Sequence, residues 1–155
     1  MRLFYDLLMF IKKGSAELFM KKLDGMQEAF KTSKQVFLKT MTPDGESHMR
    51  PMTNFNESPY EEMWFPSFKD TRKIKEIEAN NEVVVSFPSS EEGKWYHVVG
   101  EARLASWEEV REMWRWWLLE WLPEEDRRPL RYDNPFLDRS IIWVEPREAS
   151  LKDHK

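Results

Sequence analysis

The dipeptide Asp44-Gly45, preceded by Pro43 and set between the β-prone runs Gln35–Met41 and Ser47–Phe55, constrains this chain more than any other local feature. An Asp-Gly pair supplies the backbone freedom of a tight turn, so two flanking extended runs must fold back as an antiparallel hairpin. Four further runs read as extended: Glu62–Phe68, Glu82–Phe87, Lys94–Leu104 and Ser140–Val144. A parallel sheet needs a crossover helix between most of its strands, and here helices separate only some of them. The expectation is an α+β fold, a six-stranded antiparallel barrel, closed or half-closed, with flanking helices.

The helical segments have their own signals. Leu3, Leu7, Leu8 and Ile11, then Leu18, Phe19, Leu23, Met26 and Phe30, keep helical spacing on both sides of Gly14, predicting a helical segment over residues 1–30. Asp70 or Thr71 is placed to cap a short helix that turns Ile74 and Ile77 inward and ends at Asn80-Asn81. Ser106 with Glu109 forms a capping box. Trp107, Val110, Met113, Trp114, Trp117, Leu118 and Trp121 then repeat at helical spacing until Pro123, predicting an aromatic stripe packed against the sheet or across a dimer interface, with Trp116, off that stripe, the better candidate for an interface or a pocket. A polar loop, residues 124–138, leads to the last strand.

At 155 residues the chain matches one domain, the barrel spanning residues 35–144, and it carries no long linker or internal repeat. A net charge of −4 gives no general attraction for nucleic acid. The absence of cysteine removes disulfides, thiolate metal sites and thiol nucleophiles together, and fits a reducing cytoplasm. The apolar stretch Leu3–Ile11 is interrupted by Asp6, and no run approaches the roughly 20 apolar residues of a membrane-spanning helix. His48, His97 and His154 lack metal-ligand spacing, and no glycine-rich phosphate loop or nucleophile elbow is present. Most Asp and Glu residues fall on predicted helix faces and turns, where solvation accounts for them.

Two segments carry candidate chemistry. Ser67-Phe68-Lys69-Asp70-Thr71-Arg72-Lys73 sets cations and hydroxyls at the start of a helix, where they oppose the macrodipole. A phosphate would reverse that penalty by accepting bonds from Thr71, Arg72, Lys73 and free backbone N–H groups; a solvated helix end offset by Asp70 is the other reading. In His48-Met49-Arg50-Pro51-Met52-Thr53-Asn54, strand alternation sends His48, Arg50, Met52 and Asn54 to one face. Pro51 marks an edge or a broken ladder, whose free backbone groups could meet a planar ring, or simply an edge strand with an exposed arginine.

In order and spacing, these segments resemble the pyridoxamine 5'-phosphate oxidase-like, FMN-binding split-barrel family, in particular its general stress protein branch. The residues that carry the likeness are Pro43-Asp44-Gly45, His48-Met49-Arg50-Pro51-Met52, Met63-Trp64-Phe65-Pro66-Ser67, Thr71-Arg72-Lys73-Ile74, Val83-Val84-Val85-Ser86-Phe87 and the run Trp95 to Ala102. The resemblance implies a homodimer with flavin mononucleotide (FMN) between the subunits. It sets Arg50 and the backbone of Pro51, Met52 and Thr53 along the flavin ring and ribityl chain, with Pro66 and Ser67 beside them. Thr71, Arg72 and Lys73 would hold the phosphate, and Trp95 stands where pyridoxamine phosphate oxidases carry a flavin-contacting glutamine, with Tyr96 or His97 nearby.

The resemblance further implies a flavin-dependent oxidoreductase acting on a small-molecule redox substrate, with no catalytic side chain identified. The vitamin-processing oxidases have a longer C-terminal part and substrate-phosphate residues without counterpart here, so conversion of pyridoxamine phosphate is not expected. The alternatives are a flavin-binding stress or sensor protein without turnover, a binder of the deazaflavin F420, a haem binder, or a cofactor-free interaction domain.

Overall fold

The computed structural model describes residues 20–113 and 139–154. Three helices and six strands follow one another as α1 (Met26–Thr32), β1 (Gln35–Met41), β2 (Ser47–Thr53), β3 (Met63–Phe68), α2 (Arg72–Ala79), β4 (Glu82–Pro88), β5 (Lys94–Leu104), α3 (Trp107–Met113) and β6 (Arg139–Asp153). All strand pairs are antiparallel, in the order β2-β1-β4-β5-β6-β3. The sheet curls into a half-barrel, so that its two edges, β2 and β3, approach one another. This is the expected α+β split barrel.

The hairpin forms where Asp44-Gly45 demands it. Gly45 has φ +88°, and its N–H donates to the Thr42 carbonyl at 3.0 Å while Thr42 N–H donates to Glu46 O at 2.7 Å. That turn sets a register from Met41 opposite Ser47 to Gln35 opposite Thr53. Pro51 is accommodated because β2 is an edge with a single neighbour. The extended run stops at Thr53 rather than Phe55: the Asn54 amide turns away to donate to Phe30 O and Ser33 O, both at 3.0 Å, tying the chain to the end of α1.

Strand alternation fills the inside of the curl. Val36 and Leu38 of β1, Val83, Val85 and Phe87 of β4, Tyr96 and Val98 of β5, and Ile142 and Val144 of β6 are buried there with Phe65 of β3. Phe30 of α1 meets Phe87 edge-on at 5.1 Å. Each such side chain contributes about 1.5–3 kcal/mol by leaving water, so this layer supplies most of the driving force.

Three further sequence expectations are corrected. Residues 20–25 are not helical; α1 begins only after Gly25, whose φ of +78° breaks the helical spacing, and the chain before it is held by Tyr96 Oη–H donating to Asp24 O at 2.6 Å. The final strand does not end at Val144 but runs to Asp153. Its charged stretch Glu145-Pro146-Arg147-Glu148 stays paired because a bulge leaves Arg147 without a partner residue, Val99 facing Glu148 and Gly100 facing Pro146. Of the two packings expected for Trp107, that on the sheet of its own chain is not made, and its side chain is 39% exposed. Val110 seats α3 against Ile141 and Trp143, while the Arg111 guanidinium covers the Trp107 ring at 5.1 Å. The capping box holds: Ser106 N–H donates to Glu109 Oε1 at 3.0 Å and Glu109 N–H to Ser106 Oγ at 3.2 Å. Trp114, Trp116, Trp117, Leu118 and Trp121, and Leu3 to Phe19, lie outside the described residues.

Candidate functional site

The start of α2 combines backbone N–H groups that lack a side-chain cap with two basic side chains. Ile74 and Ile77 bury one side of the helix against β1 and β5, which leaves its first turn at the surface after the short connection from β3. Thr71 is the N-cap residue, but its hydroxyl donates back to Phe68 O at 3.1 Å and makes no capping bond to the helix. No acidic residue stands in the first turn, whose side chains are instead Arg72, exposed, and Lys73, half-buried. Backbone N–H groups that lack a side-chain cap, beside two cations at the positive end of the helix dipole, favour an anion.

Beneath this turn lies a polar cluster that sequence reasoning missed. Glu76, one turn into α2 and only 6% exposed, accepts hydrogen bonds from the Thr40 hydroxyl of β1 and from Arg50 Nη2 of β2 at 3.4 Å, and its Oε1 lies 2.6 Å from His48 Nδ1. Arg50 Nη1 also donates to Thr40 Oγ1 at 2.9 Å. Burial alone would raise the Glu76 pKa, but the bonds from Thr40, His48 and Arg50 outweigh it and hold the carboxyl below its ordinary value. Solvation on a helix face therefore does not account for Glu76. The available signal was on the strands: Thr40, His48 and Arg50 are polar at inward-facing positions of paired strands, where donors drawn out of water call for an acceptor.

The other candidates fall into two groups. Arg50 belongs with α2 through Glu76. Pro66 and Ser67 precede Phe68, the last residue of β3, with Ser67 buried and its hydroxyl donating to Phe68 O at 3.1 Å. The facing edge β2 presents Pro51, exposed, and Thr53, half-buried; Met52 is buried in the core, so only its backbone faces outward. β2 and β3 approach one another as the two sheet edges, and Glu76 links α2 directly to the strands through Thr40, His48 and Arg50.

Trp95 is not part of that group. It stands on the outer face of the sheet, its ring stacked on His154 at 4.2 Å and tilted against Phe37 at 5.4 Å. His97 shares this face and shares a hydrogen bond with the Ser86 hydroxyl through Nδ1 at 2.7 Å. Burial, and then the nearby cations Lys152 and Lys39 with His154, push the His97 pKa down. Tyr96 points the opposite way, into the core, so it contributes nothing to this outer face. Among the described residues no cluster of histidine, aspartate and glutamate is arranged to hold a metal ion, and no helix is long and apolar enough to cross a membrane.

Comparison with known proteins gives this architecture a context. A family model described as "Pyridoxamine 5'-phosphate oxidase like" matches residues 21–130. Solved structures share the fold at low sequence identity. An F420 reductase superposes with a TM-score of 0.61 at 20% identity, covering 83% of this chain and 98% of its own. General Stress Protein 26 from Bacillus anthracis gives 0.59 at 18%, covering 85% and 94%. A pyridoxamine 5'-phosphate oxidase-related, FMN binding protein from Nostoc punctiforme gives 0.52 at 10%, covering 84% and 91%. No curated protein matches the sequence.

Proposed function

The chain belongs to the pyridoxamine 5'-phosphate oxidase-like family, and from that premise we propose that it binds flavin mononucleotide as a homodimer and works as a flavin-dependent oxidoreductase on a small-molecule substrate. The observation that carries the reading is the start of α2, where backbone N–H groups without a side-chain cap stand beside Arg72 and Lys73. A terminal phosphate there would accept bonds from Arg72, Lys73 and the backbone at once, and from Thr71 if its hydroxyl turns from Phe68 O. The edge backbone of Pro51, Met52 and Thr53 would lie along the ring and ribityl chain, with Pro66 and Ser67 beside it.

Bound flavin would supply the electron transfer. The protein's part is orientation and electrostatics. Arg50 has donors beyond the two committed to Thr40 and Glu76, and can direct them at negative charge on the ring. Trp95 stacks on His154 on the outer face of the sheet, and in the homodimer it would meet a cofactor held by a second copy rather than by its own α2.

A deazaflavin is the second reading, favoured by the likeness to an F420 reductase. Titration with FMN and, separately, with F420 distinguishes the two. FMN binding in the micromolar range or tighter that is weakened by Arg72→Ala and Lys73→Ala supports the first; binding of F420 alone replaces it. Steady-state oxidation of a reduced nicotinamide by the loaded protein separates an oxidoreductase from a flavin carrier without turnover.

A further inference from the structure

We infer that Glu76 is a positioning residue for cofactor recognition, acting through Arg50; this rests on the flavin-site reading above. Glu76 is a buried acid on the element that carries the phosphate-binding turn, and its partners all come from the neighbouring strands: Thr40 of β1, and His48 and Arg50 of β2. Arg50 lies on the inward face of β2, an edge strand held on one side only by β1, and is still partly exposed. The Arg50 guanidinium is gripped at both terminal nitrogens, Nη1 by the Thr40 hydroxyl and Nη2 by the Glu76 carboxylate.

That grip does two things. It removes the rotamer freedom of a long side chain before any ligand arrives, so the cost of ordering it is met in folding rather than in binding. It also fixes the plane of the guanidinium fork, and with it the direction of the remaining N–H donors. The network spans the interval between β2 and α2, the two elements that would hold opposite ends of the cofactor.

Equilibrium titration of FMN, followed by quenching of its fluorescence, tests this on Glu76→Gln, Arg50→Ala and the double variant, each first shown to be folded by its thermal transition. Glu76→Gln should weaken FMN binding by about 5- to 20-fold, and this loss should fall below about twofold in the Arg50→Ala background, because the cycle isolates effects that pass through the shared partner. Thr40→Val, which removes the bridging hydroxyl and leaves both charges in place, should weaken binding in the same direction and serves if Glu76→Gln does not fold. Equal losses with and without Arg50, or unchanged affinity in folded Glu76→Gln and Thr40→Val, would overturn the assignment and leave Glu76 a fold anchor. Failure of the wild-type protein to bind FMN would instead overturn the flavin-site reading on which it rests.

Discussion

His48 and Glu76 meet side chain to side chain, Nδ1 to Oε1 at 2.6 Å, although 28 residues separate them. Together with Thr40 and Arg50 they fasten α2 to the β1–β2 hairpin. The Glu76 carboxyl is held below its ordinary value of 4.5 because these hydrogen bonds outweigh the cost of burial. Its folded-state pKa thus lies under its unfolded one. The stabilisation is complete above pH 4.5 and is lost as pH falls through the lowered folded value.

Urea unfolding of Glu76→Ala should accordingly show a loss of about 2–3 kcal/mol at neutral pH, below the range for a fully buried pair because Arg50 and His48 keep some contact with water. The difference between wild type and variant should shrink in acid. A difference independent of pH down to about 3, well inside the titration range of ordinary carboxylates, would contradict the ionic account.

His97 predicts a second pH dependence, nearer neutrality. Burial and the neighbouring cations Lys152 and Lys39 depress its pKa below 6.5, so the folded protein resists the proton that the unfolded chain accepts. Stability is full above 6.5 and declines as pH falls through the folded value. His97→Gln should abolish that part of the decline in urea midpoints between about pH 7 and 5, the ordinary titration range of imidazole. An unchanged profile would show that His97 does not titrate differently in the folded state.

Gly100 marks the point where β5 and β6 shift register, and a Cβ there would stand 2.5 Å from Glu145 O and 2.9 Å from Val144 Cγ1. The backbone carbonyl cannot step aside as a flexible side chain could. Gly100→Ala should cost about 2–3 kcal/mol, at the upper end for overpacking, read as a lower urea midpoint with an unchanged slope. A wild-type midpoint would mean that the bulge relaxes freely.

The sequence was most informative where one residue type answers one local demand. Asp44-Gly45 dictated the first hairpin, Ser106 with Glu109 the start of α3, and the alternation of Val83, Val85 and Phe87 the inward face of β4. It was least informative where a partner distant in the chain decides. The second half of β6 carries charges that argue against a strand, and only pairing with β5 across a bulge keeps it extended. Glu76 lies in a helix rich in charge, and nothing nearby in sequence marks it as buried; Thr40, His48 and Arg50 give it that role. Trp95 was legible as a candidate, but its place on the outer face, apart from Arg72 and Lys73, depends on how the whole sheet curls.

The most direct test of the central claim is the visible absorption of the purified protein titrated with FMN, beside the Arg72→Ala/Lys73→Ala variant. Each lost charge-assisted hydrogen bond should cost about 1.5–3 kcal/mol, or roughly tenfold or more in affinity apiece. The account predicts a perturbed flavin spectrum, a raised melting temperature with ligand, and binding weakened at least about 100-fold in the double variant. A wild-type protein that neither perturbs the flavin spectrum nor gains stability from FMN would contradict it, and binding unaffected by loss of Arg72 and Lys73 would remove the start of α2 as the phosphate site.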